Sequence, residues 1–304
     1  MARLEVKRHM GRADIEAVSA LLDVANQVDH HHPLDEHTWL DLVQGGREGF
    51  AGLVAWEDGH GHPVGYAQLS REPHGQGKSW GLEFVVDPHH RDHDPEIGMR
   101  LVEAALDVVR AEGGGHVHLW VPKPTPIHDR IAEATGLRRG RQLLQMRRPL
   151  PQEGPPPDLP TRPFVPGLDE EPWLVVNNRA FRWHEEQGGW DLETLKRREE
   201  QDWFDPAGFL LHERNGRLAG FCWTKVHREH DPPLGEIYVI AVDPDFQGLG
   251  LGRRLVEAGL DWLWRIGLEV GMLYVDRDNA PAVRLYERMG FTVDHLDQAY
   301  TGNF

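Results

Sequence analysis

The 304-residue chain has a single cysteine, no excess of basic residues and no long apolar run, and each shortage removes a class of function. Cys222 alone cannot close an intramolecular disulfide, so a disulfide scaffold is excluded and a reducing, cytoplasmic setting is expected. Lys and Arg number 33 against 49 Asp and Glu, a formal net charge of −16. With no basic stretch to neutralise phosphates, nucleic acid is not expected as a partner. No segment approaches the roughly 20 apolar residues that span a bilayer, and the opening MARLEVKRHMGRADIEAV lacks the apolar core of a signal peptide. Membrane association is therefore not expected either. What is present is 39% hydrophobic residues and 11 Trp, enough for folded cores. The expectation is a monomer whose partners are small molecules.

Eight prolines lie in PLPQEGPPPDLPTRPFVP, residues 149–166, which favours an extended connector over a helix or central strand. That places the first domain at 1–148, a linker at 149–166 and the second domain at 167–304. The two sides repeat one another: RLVEAALDVVR at 100–110 returns as RLVEAGLDWLW at 254–264, and Gly65, Asp87-Pro88 and Gly136 answer Gly220, Asp243-Pro244 and Gly290. Two copies of one fold are implied. In the second, GEIYVIAV at 235–242 reads as a buried strand that Asp243-Pro244 ends. Val256, Leu260 and Leu263 then recur at helical spacing up to Gly267. MLYV at 272–275 is another strand, Asn279 is the cap of a helix with Pro281 in its first turn, and Asn215-Gly216 is the turn of a hairpin. Each copy is α/β (α+β), a central mixed sheet flanked by helices.

Between the buried strand and its helix stands Gln247-Gly248-Leu249-Gly250-Leu251-Gly252. Such glycines let several backbone N–H groups converge, and the helix that follows adds the positive end of its dipole, a combination suited to a pyrophosphate. A tight turn with no ligand is the structural alternative. A Walker loop would need Lys-Ser or Lys-Thr where Arg253-Arg254 stand. A dinucleotide fingerprint would need a glycine at Arg253 and an acidic residue ending the next strand, whereas Glu269 precedes that strand.

The string resembles the Gln/Arg-x-x-Gly-x-Gly/Ala loop of the GCN5-related N-acetyltransferases, and NAPAVRLYERMGF at 279–291 resembles that family's closing element. The resemblance implies acetyl-CoA as co-substrate, without a metal. It implies that Ile240, Ala241 and Val242 meet the pantetheine arm and thioester. Gln247, Gly248, Leu249, Gly250, Leu251, Gly252 and Arg253 would meet the phosphates, and Asn279, Ala280, Pro281, Ala282, Val283 and Arg284 would add further contacts. Tyr286 would then be the acid for the leaving thiolate, its alternative being a Tyr packed beneath the helix. Glu236, a carboxylate on a buried strand, is the candidate base, its alternative a salt bridge with Lys225.

More of the chain, including VNNRAFRWHEEQGGW at 176–190, WFDP, GFCWTKVH and QMRRPL, resembles the two-copy mycothiol synthase family. That resemblance implies transfer of acetyl to the cysteinyl amine of cysteinyl-glucosaminyl-inositol, with Glu36, Glu186, Lys225, Glu236 and Tyr274 holding this substrate. Another small amine (an aminoglycoside or a peptide terminus) and a non-catalytic acyl-CoA sensor are the alternatives. The first copy is expected to be inert. Counting back from Asp87-Pro88 puts Trp80 where Glu236 stands, and counting back from Gly136 puts Ala132 where Tyr286 stands. Its loop HHRDHDPEIG offers Asp92, Asp94 and Glu96, and of glycines Gly98 alone, so a second acetyl-CoA around Phe84, Val85 and Val86 is expected to bind weakly or not at all. The pairs and triplets of histidine at 30–32, 60 and 62, and 89, 90 and 93 are expected to be solvated loop residues rather than metal ligands. Cys222, between Phe221 and Trp223, is expected to be a small buried hydrophobe rather than a nucleophile.

Overall fold

The computed structural model describes residues 2–29, 31–57, 59, 62–72, 78–91, 95–152, 154, 157–182, 187–228 and 230–304, without the side chains of residues 36, 37 and 72. Along the chain run β1 (Arg3–Lys7), α1 (Arg12–Asp29), α2 (Glu36–Val43), β2 (Ala51–Trp56), β3 (Gly65–Glu72), β4 (Ser79–Val86), α3 (Pro88–Arg91), α4 (Glu96–Ala111), β5 (His116–Pro122), α5 (Pro126–Thr135) and β6 (Arg138–Pro149). There follow β7 (Arg162–Pro163), α6 (Glu170–Ala180), α7 (Leu192–Glu199), β8 (Phe209–Arg214), β9 (Arg217–His227), β10 (Leu234–Val242), α8 (Leu251–Arg265), β11 (Val270–Asp276), α9 (Ala280–Arg288) and β12 (Thr292–Asn303).

Two compact units result, one from Met1–Gln142 with Leu296–Phe304, the other from Leu143–His295. This division differs from the one expected at the proline-rich stretch, and the reason is strand pairing. Residues 143–149 of β6 run antiparallel to β11, from Leu143 opposite Asp276 to Pro149 opposite Val270. Residues 297–303 of β12 run antiparallel to β5. Ladder hydrogen bonds hold each of these segments in its unit. The prolines themselves act as expected, leaving in the described part of 150–166 only the two-residue edge strand β7.

In the first unit the strands lie in the order β1-β2-β3-β4-β5-β12. Neighbours are antiparallel except β4 and β5. One core joins α4 residues Leu101, Ala105 and Val109 to Leu53, Leu69 and Leu82, and another joins α1 and α2 residues Leu21 and Leu42 to Phe50 and Tyr66. Not every histidine here is a solvated loop residue. Asp87, which is buried, accepts from the backbone N–H of His89 at 2.8 Å, and the rings of His62, His89 and His90 lie 3.1–3.6 Å from its carboxylate. A buried carboxylate needs such donors. His30, His60 and His93 lie outside the described residues.

In the second unit the order is β6-β11-β10-β9-β8-β7, with only β10 and β11 parallel. Beneath α6 and α7 lies an aromatic core in which Phe209 stacks on Trp223 at 4.3 Å and Trp173 meets both rings edge-on. Against the other face lies α8, whose Leu255, Leu260 and Leu263 are buried, and Gly259 allows its close approach because a Cβ there would meet the Cys222 Sγ at 2.5 Å. The hairpin turn falls at Asn215-Gly216, both with positive φ, as the residues indicated.

Candidate active site

β10 and β11 pair only at Leu234, Gly235 and Glu236, opposite Val270, Gly271 and Met272. Past Glu236 the two strands part, so the edge of β10 facing β11 from 237 to 242 carries no ladder to that neighbour, and Ile240, Ala241 and Val242 border the opening. The other edge of β10 stays paired with β9 throughout, except at Tyr238, where the register shifts between Ile237 and Val239. This bulge adds one residue to β10.

The bulge corrects the comparison of the two copies. The ladder of β3 and β4 is regular, with Gly65 opposite Val86 and Ser70 opposite Gly81, while Gly81 also faces His118. In the second unit Gly220 lies opposite Val242, and Lys225 opposite Glu236. Counting along the ladders therefore places Gly81 at the position of Glu236 and Ser70 at that of Lys225; Trp80 corresponds to Gly235. Trp80 is fully buried, and Ala132 sits in the core of the first unit.

Residues directly opposite in a ladder share a face. Val239 and Ala241 pack with Trp223 and Phe221 under α6 and α7, so Glu236, Lys225 and Trp223 belong to that face. Cys222 and Ile237 belong to the other, where Gly259 of α8 approaches them. Glu236 is buried, and its carboxylate lies 2.7 Å from His227 Nε2. The Lys225 ammonium lies over the rings of Trp203 at 4.4 Å and Tyr238 at 5.6 Å. Arg198 in turn covers Trp190 at 3.9 Å and donates to the Tyr238 hydroxyl at 3.1 Å. Tyr274 is exposed on β11, where its hydroxyl accepts from Gln145 at 2.7 Å. Tyr286 of α9 is buried edge-on against Phe291, and burial, with a smaller contribution from Cys222, pushes its phenol up to about 12. Glu36 opens α2 with its side chain outside the described residues, and Glu186 lies outside them altogether.

Asp243, buried, accepts from the N–H of Asp245 at 2.9 Å and turns the chain out of β10 into the glycine loop. Gln247, Gly248, Leu249 and Gly250 are exposed, and Gly248 and Gly250 have φ of +78° and +70°. A Cβ on Gly248, Gly250 or Gly252 would meet nothing within 4 Å. Neither φ nor packing calls for glycine at Gly252, so its bare surface is room for a ligand. No side chain caps the first turn of α8, which leaves its N–H groups directed at that space. By contrast α9 is capped by Asn279, whose side chain accepts from the N–H of Ala282 at 3.3 Å. Ala280, Pro281 and Arg284 are exposed, and Ala282 and Val283 half-buried. Arg253 is exposed and bonds Glu257 at 2.8 Å. An uncapped helix end behind an open glycine loop fits a pyrophosphate-bearing co-substrate.

In the first unit β4 and β5 also pair only at their starts, from Ser79 to Leu82, so Phe84, Val85 and Val86 border a similar opening. There Phe84 contacts the His128 ring at 5.8 Å, and a Cβ on Gly98 would meet Ile131 at 2.7 Å, so that glycine serves helix packing. Asp92 and Asp94 lie outside the described residues. Among the described residues no group of three or more His, Cys, Asp or Glu is arranged to hold a metal. Sequence reasoning missed His227, Trp203, Tyr238, Arg198 and Gln145. Of these only His227 had a signal, its i+2 spacing from Lys225 on one strand.

Comparison with known proteins agrees with this geometry. The sequence pattern of the acetyltransferase (GNAT) family matches residues 15–128 and again 177–291. The mycothiol acetyltransferase of Acidimicrobium ferrooxidans is 45% identical, covering 93% of this chain and 92% of its own. That of Thermobispora bispora is 45% identical over 98% of both. Among solved structures, a GCN5-related N-acetyltransferase from Sphaerobacter thermophilus superposes with a TM-score of 0.73 at 24% identity, covering 99% of this chain and 95% of its own. A tandem GNAT protein from the clavulanic acid biosynthesis pathway gives 0.72 at 18% identity, with 99% and 98% covered. With an acetyltransferase pattern in each half, and a glycine loop open to a pyrophosphate in the second, this chain belongs to the acetyltransferase (GNAT) family as a tandem member.

Proposed function

We propose that the chain is a mycothiol synthase, transferring acetyl from acetyl-CoA to the cysteinyl amine of cysteinyl-glucosaminyl-inositol. The observation that carries this reading is likeness over nearly the whole length, at 43–45% identity, to four proteins named mycothiol acetyltransferase. Acetyl-CoA supplies an activated thioester. The glycine loop and the first turn of α8 hold its phosphates, and Arg253 adds positive charge. Ile240, Ala241 and Val242 orient the thioester in the opening between β10 and β11, where a backbone N–H of β10 faces the carbonyl oxygen as charge develops on it. Glu236 accepts the proton of the attacking amine, and Tyr286, kept protonated by burial, donates one to the departing sulfur. Glu236 and Tyr286 act from opposite sides, the first on the Lys225 face and the second from the side of Cys222. Glu36, Glu186, Lys225 and Tyr274 recognise the polyhydroxylated acceptor, for which charged groups discriminate by hydrogen bonding.

The chain works as a cytoplasmic monomer on small molecules, with neither nucleic acid nor membrane as partner. A net charge of −16 weighs against nucleic acid as a partner, and among the described residues no helix is long and apolar enough to cross a membrane. The test is CoA release with cysteinyl-glucosaminyl-inositol beside cysteine, glucosamine and an aminoglycoside, each product identified by mass. Selective acetylation of the first is expected. Turnover of another amine alone would keep the family and refute the substrate, and acetyl-CoA binding without turnover would leave an acyl-CoA sensor.

A further inference from the structure

Two basic residues of β9 flank the Glu236 carboxylate. Lys225 lies directly opposite in the ladder, and His227, two residues on, shares its face and lies diagonal to Glu236. The hydrogen bond is made by the diagonal neighbour: His227 Nε2 is 2.7 Å from Glu236 Oε2, with the two side chains 18% and 8% exposed. An ionised carboxylate can only accept, so Nε2 carries the proton and donates it.

This bond engages Oε2 and leaves Oε1 as the oxygen available to accept a proton. We infer that His227 is a positioning residue for Glu236, orienting the base and setting, through its own charge, how strongly that base acts. The inference rests on the reading of Glu236 as the base. A neutral imidazole donating from Nε2 holds the carboxylate in place and leaves it basic. An imidazolium at the same distance stabilises the ionised carboxylate and weakens it as an acceptor of the amine proton. Activity then falls toward acidic pH as the imidazole gains its second proton. Charged or titratable groups on the same face among the described residues include Lys225, Tyr238, Tyr274, His230 and Arg147. The His230 ring lies 6.1 Å from that of His227. Arg147 is opposite Met272 in the same ladder row and is paired with Asp294 at 3.4 Å.

The experiment compares pH profiles of kcat/KM for the full chain and its His227→Leu, His227→Gln and Glu236→Gln variants, with thermal unfolding as a check on folding. Leucine removes the donor, so kcat is expected to fall about 10-fold or more while KM for acetyl-CoA stays unchanged. Glutamine restores a donor that cannot become cationic, so most of kcat returns and the acidic limb moves down by about one pH unit or more. A His227→Gln profile superimposable on that of the unaltered chain overturns the inference, as does a His227→Leu kcat within about twofold of it. If the leucine variant does not fold, the glutamine profile decides alone. Should Glu236→Gln keep full activity, the reading of Glu236 as base fails and this inference with it. Should Glu236→Gln lose activity while both His227 variants behave as the unaltered chain, only the role of His227 is refuted.

Discussion

Gly81 in the first unit occupies the ladder position that Glu236 holds in the second, facing Ser70 where Glu236 faces Lys225. The duplicated fold thus keeps its strand order while the first copy lacks both the carboxylate and the bulge beside it. Glu236→Gln is accordingly expected to lower kcat by about 100-fold or more with no residual activity from the first unit, while acetyl-CoA still binds. Steady-state kinetics beside calorimetric titration of acetyl-CoA checks both halves of this statement.

Tyr286 is held near 12 by burial, so its phenol keeps its proton well above neutral pH. Tyr286→Phe removes that proton but little volume. The variant is expected to lose about 100-fold in kcat, by the same factor at about pH 7 and about pH 9, because the acid is fully protonated at both. A ratio that shrinks toward the higher pH would mean that the phenol titrates within that range.

Two glycines separate cofactor binding from stability. Gly252 has open space around it, so Gly252→Val should leave the free energy of unfolding within about 0.5 kcal/mol of the unaltered chain yet weaken acetyl-CoA binding about 10-fold or more. Gly259 is pressed against Cys222 and Ile237. Gly259→Val should therefore destabilise the fold by about 1–3 kcal/mol. Thermal unfolding and acetyl-CoA titration of the two variants give the crossed pattern or refute it.

Cys222 is fully buried, and burial pushes its thiol up to about 12. The thiolate is the reactive form, so the folded chain should resist iodoacetamide at about pH 8 and react once denatured. Cys222→Ala should keep kcat within about threefold. A larger loss, or an acetylated cysteine found by mass spectrometry, would replace direct transfer with a covalent route.

The first unit has the strand opening but not the run of glycines, and Gly98, within α4, is packed on Ile131. The full chain is expected to bind one equivalent of acetyl-CoA tightly. Equilibrium titration showing two equivalents of comparable affinity would assign a working cofactor site to Phe84, Val85 and Val86. The full chain is the proper sample, because residues 297–303 supply the strand beside β5.

Contiguous residues determined much of this protein. The glycine loop between strand and helix, the Asn279 cap, the Asn215-Gly216 turn, the burial of Cys222 and the repeat of one fold could all be read along the chain, because local conformation and spacing along one element encode them. Tertiary structure alone decided that residues 143–149 and 297–303 pair outside the copies they follow in sequence, that Tyr238 bulges so that Gly81 rather than Trp80 answers Glu236, and that Glu236 bonds His227 rather than Lys225. These depend on register between strands distant in sequence. A shift of one residue there exchanges every facing pair, and no stretch of sequence carries that information by itself.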